Sequence, residues 1–536
     1  MDPLDTLRAA IEDAAADLRG SQPPPRARPS LERPPKPEFG DFSTNAAMLL
    51  APVVGEPPRT VAERLGTAVR ERLGEQVERV EIAGPGFLNL FMADAWYAGA
   101  LADVLAEGEA FGRGGVELSE RVNVEFVSAN PTGPLHLGHA RNAAYGDAIA
   151  RLLEFHGHNV HREFYVNDAG SQIRRFGEAI VARARGEEPE EYLGGYVADL
   201  AAAIPDAASR DPDEVAREGI ELVLAGMRET LARFRVADFD TWFHERDLYR
   251  SDPPGPTPIE HALESLGEQG ATFRSEDALW LRSSAHGDDK DRVLVKSDGT
   301  NTYLAPDIAY HQNKRERGFE RMIDVWGADH HGYVTRMKAA YAALGGDPDE
   351  LELLIMQFVN LVRGGEPVSM SKRAGEFITL DELMDEIGVD AARWYLLARS
   401  HETTIEVDLD LATRESADNP VYYVQYAHAR IASLIERADG APDPAQPGAP
   451  LEAAERALVK KLLAFPSEVA EAAERRAPHR VATYALDLAR EFTTFYERCR
   501  VVGAETEAFR LALCEATERA IARALDLLGV EAPSSM

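Results

Sequence analysis

The run from Ser128 to Asn142 combines residue types that suit phosphate chemistry. It reads Ser-Ala-Asn-Pro-Thr-Gly-Pro-Leu-His-Leu-Gly-His-Ala-Arg-Asn, so His136 and His139 flank a Leu-Gly pair after a Pro/Gly-rich turn. Imidazoles at the start of a helix lie where backbone N–H groups already favour phosphate, and Gly138 lets a nucleotide approach the backbone closely. The alternative is structural, namely two histidines that cap a turn.

A second candidate element lies downstream, in a stretch that contains Gly364, Gly365 and Gly375. It reads Ser369-Met-Ser-Lys-Arg373. A Gly-rich loop that carries a lysine, here Lys372, can close over a triphosphate and neutralise its growing negative charge as pyrophosphate forms. The alternative for this stretch is a solvated surface turn.

These residues need a scaffold, and the flanking sequence predicts one. Arg121 to Val127 is short and β-branched, as in a buried strand. Ala140 to His156 carries apolar residues at helical spacing and stops at Gly157, and Val160 to Val166 predicts a second strand. Strand, tight turn, helix and strand form a βαβ unit, whose ligands bind at the carboxyl ends of the strands.

In this order, the two elements resemble the paired signatures of class I aminoacyl-tRNA synthetases, usually quoted as HIGH and KMSKS. Further runs make nearly the whole chain similar to the arginine-specific members of that class. These runs are Gly40 to Ala46, Gly84 to Leu90, Glu125 to Asn142, Tyr165 to Ile173, Tyr303 to Asp307, Gly327 to His330, Asn419 to Arg430 and Leu527 to Met536. The loop departs from the family pattern, because Ser369 replaces its first lysine and Ala374 stands where another basic residue often occurs.

The resemblance implies an enzyme, an ATP-dependent arginine–tRNA ligase. Such an enzyme activates L-arginine with ATP to arginyl-adenylate and pyrophosphate, and then transfers arginine to the 3′ end of tRNA-Arg. Two alternatives remain open: another class I synthetase, or a synthetase-derived tRNA-binding protein without catalysis. Missing zinc cysteines disfavour the cysteine type, an acidic pocket disfavours the glutamate type, and the retained His136, His139 and Lys372 disfavour a non-catalytic protein.

The resemblance also implies an α/β fold with three domains. We expect a small α/β N-terminal domain over residues 1–115, which contacts tRNA in this family, and a Rossmann-type parallel-sheet catalytic domain over residues 116–400. An acidic, largely helical insertion is expected at about 187–291. Residues 401–536 have a helical pattern and should form an all-α anticodon-binding bundle; the alternative is a generic helical bundle.

The residues expected at the active site follow from the same resemblance. Catalysis is assigned to His136, His139 and Lys372, and ATP should be held by His136, Gly138, His139, Met370, Ser371 and Lys372. The arginine pocket should be acidic, because a guanidinium is a planar fork suited to carboxylates. Its expected residues are Glu125, Asn130, Tyr303, Asp307, Asp329 and His330, with Asn130 near the α-amino group and Asp307 as guanidinium partner. The alternative for each acidic residue is solvated surface charge.

Aromatic residues of the helical region are candidates for contact with RNA. Tyr422 and Tyr426 lie four positions apart, and tyrosine rings can stack on splayed anticodon bases. We therefore predict that these two residues bind tRNA. The alternative is core packing, which is the commoner role of a tyrosine stripe on a helix.

Composition predicts an unusual solvent environment. The net charge is −33, from 91 acidic and 58 basic residues, and eight of the basic residues are lysines. Many carboxylates with few lysines fit a protein of a high-salt cytoplasm, where self-repulsion is screened. The alternative is an ordinary acidic protein from an organism that favours arginine.

We further expect a cytoplasmic protein without a membrane partner, and we expect it to be a monomer. No run of about 18 apolar residues and no signal peptide occurs. The two cysteines, Cys499 and Cys514, lack a metal-binding spacing, so we expect buried thiols and no structural metal. Mg²⁺ should enter with ATP.

Overall fold

The N-terminal unit is a small α/β structure, as predicted. The computed structural model of the protein describes residues 3–251, 255–368, 378–445 and 447–536. The elements of this unit are α1 (Pro3–Arg19), β1 (Phe42–Thr44), α2 (Ala46–Val54), α3 (Pro58–Leu73), β2 (Val77–Ala83), β3 (Phe87–Met92) and α4 (Asp94–Glu107). The strands form an antiparallel sheet in the order β1-β3-β2. Helix α3 ends at Gly74, whose φ of +54° lies in a region that glycine adopts readily.

The middle of the chain alternates strands and helices. In chain order these are β4 (Arg121–Glu125), α5 (Leu137–His156), β5 (Asn159–Val166), α6 (Ser171–Ala184), α7 (Tyr196–Ala203), α8 (Pro212–Arg233), β6 (Thr241–His244), α9 (Pro258–Glu268), β7 (Thr272–Ser275), β8 (Ala278–Leu281), β9 (Arg292–Val295), α10 (Leu304–Glu316), β10 (Arg321–Gly327), α11 (Val334–Ala343), β11 (Leu351–Met356), β12 (Val359–Arg363), β13 (Glu366–Pro367), α12 (Leu380–Ile387), α13 (Val389–Leu397), β14 (Ile405–Asp408) and α14 (Leu409–Ala412). The predicted βαβ unit is confirmed as β4, α5 and β5.

The central sheet positions the candidate site. Among the described residues it is five-stranded and parallel, in the order β11-β10-β4-β5-β6. Val122 and Val124 of β4 are fully buried, as expected for a parallel strand covered on both faces. The chain fills one side of β4 with β5 and β6 and later fills the other side with β10 and β11. Strand order therefore reverses at β4, where open α/β sheets bind their ligands.

The segment predicted as a helical insertion differs from that prediction. Helices α7, α8 and α9 lie in residues 187–291, but so does β6, which pairs with β5 and extends the central sheet. Strands β7 and β8, at the end of this segment, form a separate antiparallel sheet with β9, which lies just beyond it. These strands have four residues each, which is too short for a hydrophobic period to stand out in the sequence.

The C-terminal part is a helical bundle in the described residues, made of α15 (Pro420–Glu436), α16 (Ala453–Leu462), α17 (Phe465–Glu474), α18 (His479–Arg498) and α19 (Glu507–Leu527). The predicted all-helical region, residues 401–536, includes one strand, because Ile405–Asp408 forms β14, which pairs with β12. Helix α17 packs on α5 and α19 packs on α4. Cys499 and Cys514 are buried free thiols, as predicted. In the described ranges, no helix is both long and apolar enough to cross a membrane.

Candidate active site

The turn that follows β4 is held in a strained conformation. Val127 and Ser128 have φ values of +68° and +39°, which are unfavourable for residues other than glycine, and most of all for β-branched valine. The side chain of Asn142 on α5 stabilises this turn, because its Oδ1 accepts the Val127 N–H at 2.6 Å and its Nδ2 donates to the Val325 carbonyl at 2.7 Å. Such strain is typical of a site whose geometry is set by its surroundings.

The two histidines form the N-terminal cap of α5. His136 is the cap residue, and its Nδ1 accepts the Gly138 N–H at 3.1 Å, while its own N–H donates to Nδ1 of His139 at 3.2 Å. A Cβ on Gly138 would lie 2.9 Å from Cε1 of His136, so a side chain there would displace the ring. The two histidines therefore do cap the helix, and the capping hydrogen bonds also orient both rings.

The capping bonds fix which nitrogen of each ring carries the proton. Since both Nδ1 atoms accept hydrogen bonds, each neutral ring is protonated on Nε2. Burial lowers the pKa of His136 and lowers that of His139 to about 3, the latter with a smaller contribution from His136. Both rings are thus neutral near pH 7 and present Nε2–H donors beside a helix N-terminus, which suits phosphate oxygens.

The histidines border a cleft of about 960 Å³. Asn130, Tyr192, Tyr196 and Thr379 line the same cleft. The residues on either side of His136 form backbone hydrogen bonds with the segment that follows the second signature element. Leu137 N donates to Ile378 O at 3.0 Å, and Leu380 N donates to Leu135 O at 2.9 Å. Ser369, Met370, Ser371, Lys372 and Ala374 themselves lie outside the described residues.

A second group of candidates surrounds the start of α10. Asp307 is half-buried in its first turn and accepts a 2.5 Å hydrogen bond from the Tyr333 hydroxyl. Tyr303 is the cap residue one turn earlier, and its side chain is 88% exposed. Burial raises the pKa of Asp307, which indicates a carboxylate that would gain from a cationic partner.

Glu245 belongs to this group, although the sequence did not single it out. It follows β6 and is buried. Burial and then the charge of Asp307 raise its pKa to about 7. The Tyr249 hydroxyl donates to Glu245 Oε1 at 3.4 Å. Burial, together with the charges of Glu245 and Asp307, raises the pKa of Tyr165 and raises that of Tyr249 to about 12. Two carboxyl groups whose charges interact, with aromatic rings nearby, are suited to a guanidinium. A strand of four residues in an acidic segment offered no signal by which to find Glu245.

Glu125 is the last residue of β4. It is 6% exposed, and its oxygens accept hydrogen bonds from Ser128 Oγ at 2.9 Å and from Lys314 Nζ at 2.6 Å. A solvated surface role is therefore excluded for Glu125. Asp329 and His330 instead lie exposed in the 3₁₀ turn Ala328–Tyr333 after β10, with His330 Nε2 3.4 Å from Asp329 Oδ2. The His330 ring is tilted against Trp326, with centroids 5.6 Å apart.

The two tyrosines predicted to bind RNA lie on one face of α15. Their rings stack with centroids 6.0 Å apart, and Tyr426 is 40% exposed. The Arg430 guanidinium lies 4.6 Å from the Tyr426 ring. A groove of about 820 Å³ beside them is lined by residues that include Arg430, Arg437 and Arg500. This face combines aromatic rings with cations in a chain that is otherwise strongly acidic.

Comparison with known families divides the chain in three. The arginyl tRNA synthetase N-terminal domain matches residues 5–92, the class I (R) tRNA synthetase catalytic domain matches residues 101–217 and 256–434, and the DALR anticodon-binding domain matches residues 424–536.

Whole proteins match over similar lengths. An arginine–tRNA ligase of Geobacillus kaustophilus is 45% identical over 94% of both chains, and one of Kineococcus radiotolerans is 46% identical over 99% of this chain and 98% of its own. The solved structure of Thermus thermophilus arginyl-tRNA synthetase superposes with a TM-score of 0.78 at 26% identity, covering 99% of this chain and 100% of that one.

Proposed function

The chain belongs to the arginyl-tRNA synthetases, and from this premise we propose which of its residues perform each part of the reaction. It is an ATP-dependent arginine–tRNA ligase. A carboxylate oxygen of arginine attacks the α-phosphorus of ATP, which forms arginyl-adenylate and releases pyrophosphate. A ribose hydroxyl at the tRNA 3′ end then attacks the carbonyl carbon and releases AMP.

The ATP subsite is the cleft at the start of α5. The Nε2–H groups of His136 and His139 donate to phosphate oxygens, and Gly138 leaves room for the nucleotide. Lys372, with Met370 and Ser371, acts on the β,γ-phosphate side, where negative charge grows as pyrophosphate leaves. Mg²⁺ arrives as the counter-ion of ATP. The protein contributes alignment and charge neutralisation, because phosphoryl chemistry needs little covalent help.

The arginine subsite lies between the ends of β4, β6 and β10. Asp307 and Glu245 hold the guanidinium, and Tyr303 borders its entrance. Glu125 and Asn130 receive the α-ammonium group at the end of β4, and Asp329 and His330 bound the ribose side. The observation that carries this proposal is the neighbouring pair of carboxyl groups, the half-buried Asp307 and the buried Glu245, whose pKa values are raised by burial.

We expect the enzyme to charge tRNA with arginine and with no other standard amino acid. A site built for a charged fork leaves buried carboxylates unpaired when another side chain enters, and polar sites of this kind discriminate by about 10⁴–10⁵-fold. Aminoacylation should be measured with each amino acid separately. Asp307→Asn should lower kcat/KM for arginine at least about 100-fold. Efficient lysine charging by the unmodified enzyme would contradict the assigned pocket.

Arginine recognition should depend on pH through Glu245. Below its pKa of about 7 this carboxyl is protonated, so arginine must expel a proton to gain the ionised partner. The KM for arginine should therefore fall as pH rises from 6 to 8 and then level off, by up to about tenfold per pH unit below the pKa. Glu245→Gln should abolish this dependence, whereas Asp307→Asn should move it to lower pH. A flat KM profile in the unmodified enzyme would remove Glu245 from the subsite.

The N-terminal unit and the helical bundle are the tRNA-contacting parts, with Tyr422 and Tyr426 on the RNA face. Domain boundaries at about 115 and 400 separate them from the catalytic domain. The enzyme acts as a monomer in the cytoplasm, where tRNA is charged for protein synthesis, and its acidic surface is an adaptation to high salt.

Folding and activity should accordingly require salt. The Debye length is about 3 Å at 1 M and about 10 Å at 0.1 M salt, so dilution exposes the excess carboxylates of a chain with net charge −33 to mutual repulsion. Thermal melting and arginylation should both be followed across KCl concentrations, with sucrose as a control for non-ionic stabilisation. An unchanged melting temperature and full activity at 0.1 M KCl would refute the adaptation to salt.

A further inference from the structure

Three neighbouring strands of the central sheet present a row of buried carboxylates. Glu163 of β5 and Asp324 of β10 both stand at the register of Glu125. Register-matched residues on parallel strands point to one face, about 4.8 Å apart. Their exposures are 0%, 6% and 1% for Glu163, Glu125 and Asp324. Three like charges this close require compensation from the element that covers them.

Helix α10 covers this row and supplies the compensating cations. Lys314 is fully buried, and its Nζ donates to Glu125 Oε2 at 2.6 Å and to Asp324 Oδ1 at 2.7 Å. Arg317, just after the helix, pairs with both oxygens of Glu163 at 2.7 and 2.8 Å. The compact ammonium of Lys314 can bridge two carboxylates in a space that a planar guanidinium would not fit.

His311 ties the other oxygen of Asp324 to the start of the helix. Its Nε2 lies 2.8 Å from Asp324 Oδ2, and its Nδ1 lies 2.7 Å from the backbone carbonyl of Asp307. Both neighbours are acceptors, so both ring nitrogens must donate and the ring is an imidazolium. Burial opposes that charge, but Asp324 outweighs it and raises the pKa of His311.

Asp324 is thus the shared link between the two ends of the arginine subsite. Its Oδ1 accepts a hydrogen bond from Lys314, which also binds Glu125. Its Oδ2 contacts His311, which also contacts the backbone carbonyl of Asp307. We propose that Asp324, His311 and Lys314 are positioning residues that set the distance between Glu125 and Asp307 and thereby determine the length of side chain that the enzyme accepts. This inference rests on the proposed roles of Glu125 and Asp307, which touch the substrate, whereas the three linking residues do not.

Substitutions of His311 can remove either of its two hydrogen bonds separately, the one to Asp324 or the one to the Asp307 carbonyl. In His311→Asn the amide reaches the Asp307 carbonyl but not Asp324, and in His311→Gln it reaches Asp324 but not the carbonyl. Displacing a reacting group by about 1 Å can cost about 10²-fold. We therefore expect kcat/KM for arginine to fall about 10- to 100-fold, mainly through KM. Homoarginine, which is one methylene longer, should lose less, so the preference for arginine over homoarginine should shrink at least tenfold.

Two further variants complete the experiment. Asp324→Glu keeps the negative charge but makes the side chain one methylene longer, so it should also reduce the preference for arginine over homoarginine. If the His311 variants do not fold, this variant tests the proposal alone. Tyr310→Phe is the matched control, because within the described ranges its hydroxyl donates to Glu163 at 2.8 Å and not to Glu125 or Asp324. It should lower thermal stability without changing the preference.

The outcomes separate this inference from the proposed function. If Asp307→Asn weakens arginine use but the folded His311 and Asp324 variants keep the preference of the unmodified enzyme, the length-setting role is wrong. The same conclusion follows if Tyr310→Phe changes the preference equally. If Asp307→Asn has no effect on arginine use, the assignment of the subsite itself is wrong.

Discussion

His136→Asn should lower the rate of arginyl-adenylate formation about 10²- to 10³-fold, the usual cost of one preorganised donor to a developing anion. This variant separates the capping role of His136 from its role as a hydrogen-bond donor. His136 caps α5 through Nδ1, and asparagine is among the best capping residues. The variant keeps the cap and loses the Nε2–H donor. Thermal stability should therefore stay within about 1 kcal/mol of the unmodified enzyme.

The measurement is single-turnover adenylate formation with tRNA present, alongside thermal melting. Asp211→Asn provides the matched control, because Asp211 caps α8 by accepting the Asp213 N–H at 2.9 Å, on a helix that does not carry the signature histidines. It should change neither quantity appreciably. Unchanged adenylate formation in His136→Asn would reduce His136 to a capping residue. A large loss of stability would show that the ring itself is needed for folding.

Arginine-dependent exchange of pyrophosphate into ATP should be nearly absent without tRNA and should appear when cognate tRNA is added. The helical bundle and the catalytic helix α5 are joined through α13. Arg393 is fully buried and donates to Asp147 of α5 at 2.5 Å and to the Leu528 carbonyl at 2.7 Å. Gln425 of α15, in the bundle, donates to Asp390 of α13 at 2.9 Å. RNA docked on the bundle can therefore shift the population of the catalytic unit toward its active arrangement.

A factor of 100 in exchange rate corresponds to about 2.7 kcal/mol of coupling. Periodate-oxidised tRNA, which cannot accept arginine, should still support exchange, because docking rather than transfer is the trigger. Enzyme freed of co-purified RNA is the necessary baseline. Robust exchange by that enzyme would mean that the active arrangement exists without RNA and that the α13 junction does not control it.

Local sequence was sufficient for the elements that carry their own pattern. Strand β4, helix α5 and strand β5 were predicted because β-branched residues, a 3.6-residue period and glycine stops act over neighbouring positions. The bundle helices were predicted for the same reason. The resemblance, which depends on runs such as Ser128 to Asn142, determined the family and the reaction. The strands β6, β7, β8, β9 and β14 were missed because each has four residues, too few to show a hydrophobic period.

Tertiary structure decided which distant side chains meet. Glu125 and Lys314 are 189 positions apart, and nothing in either neighbourhood predicts that they form a buried pair. Glu245 became a candidate because β6 ends beside α10, and His311 acquired a defined protonation state because Asp324 and a carbonyl lie on either side of it. The physical reason is that charge pairing depends on separation in space and on burial. Sequence specifies the strands and helices one by one, whereas these quantities exist only after the parallel register of β5, β4 and β10 has been formed.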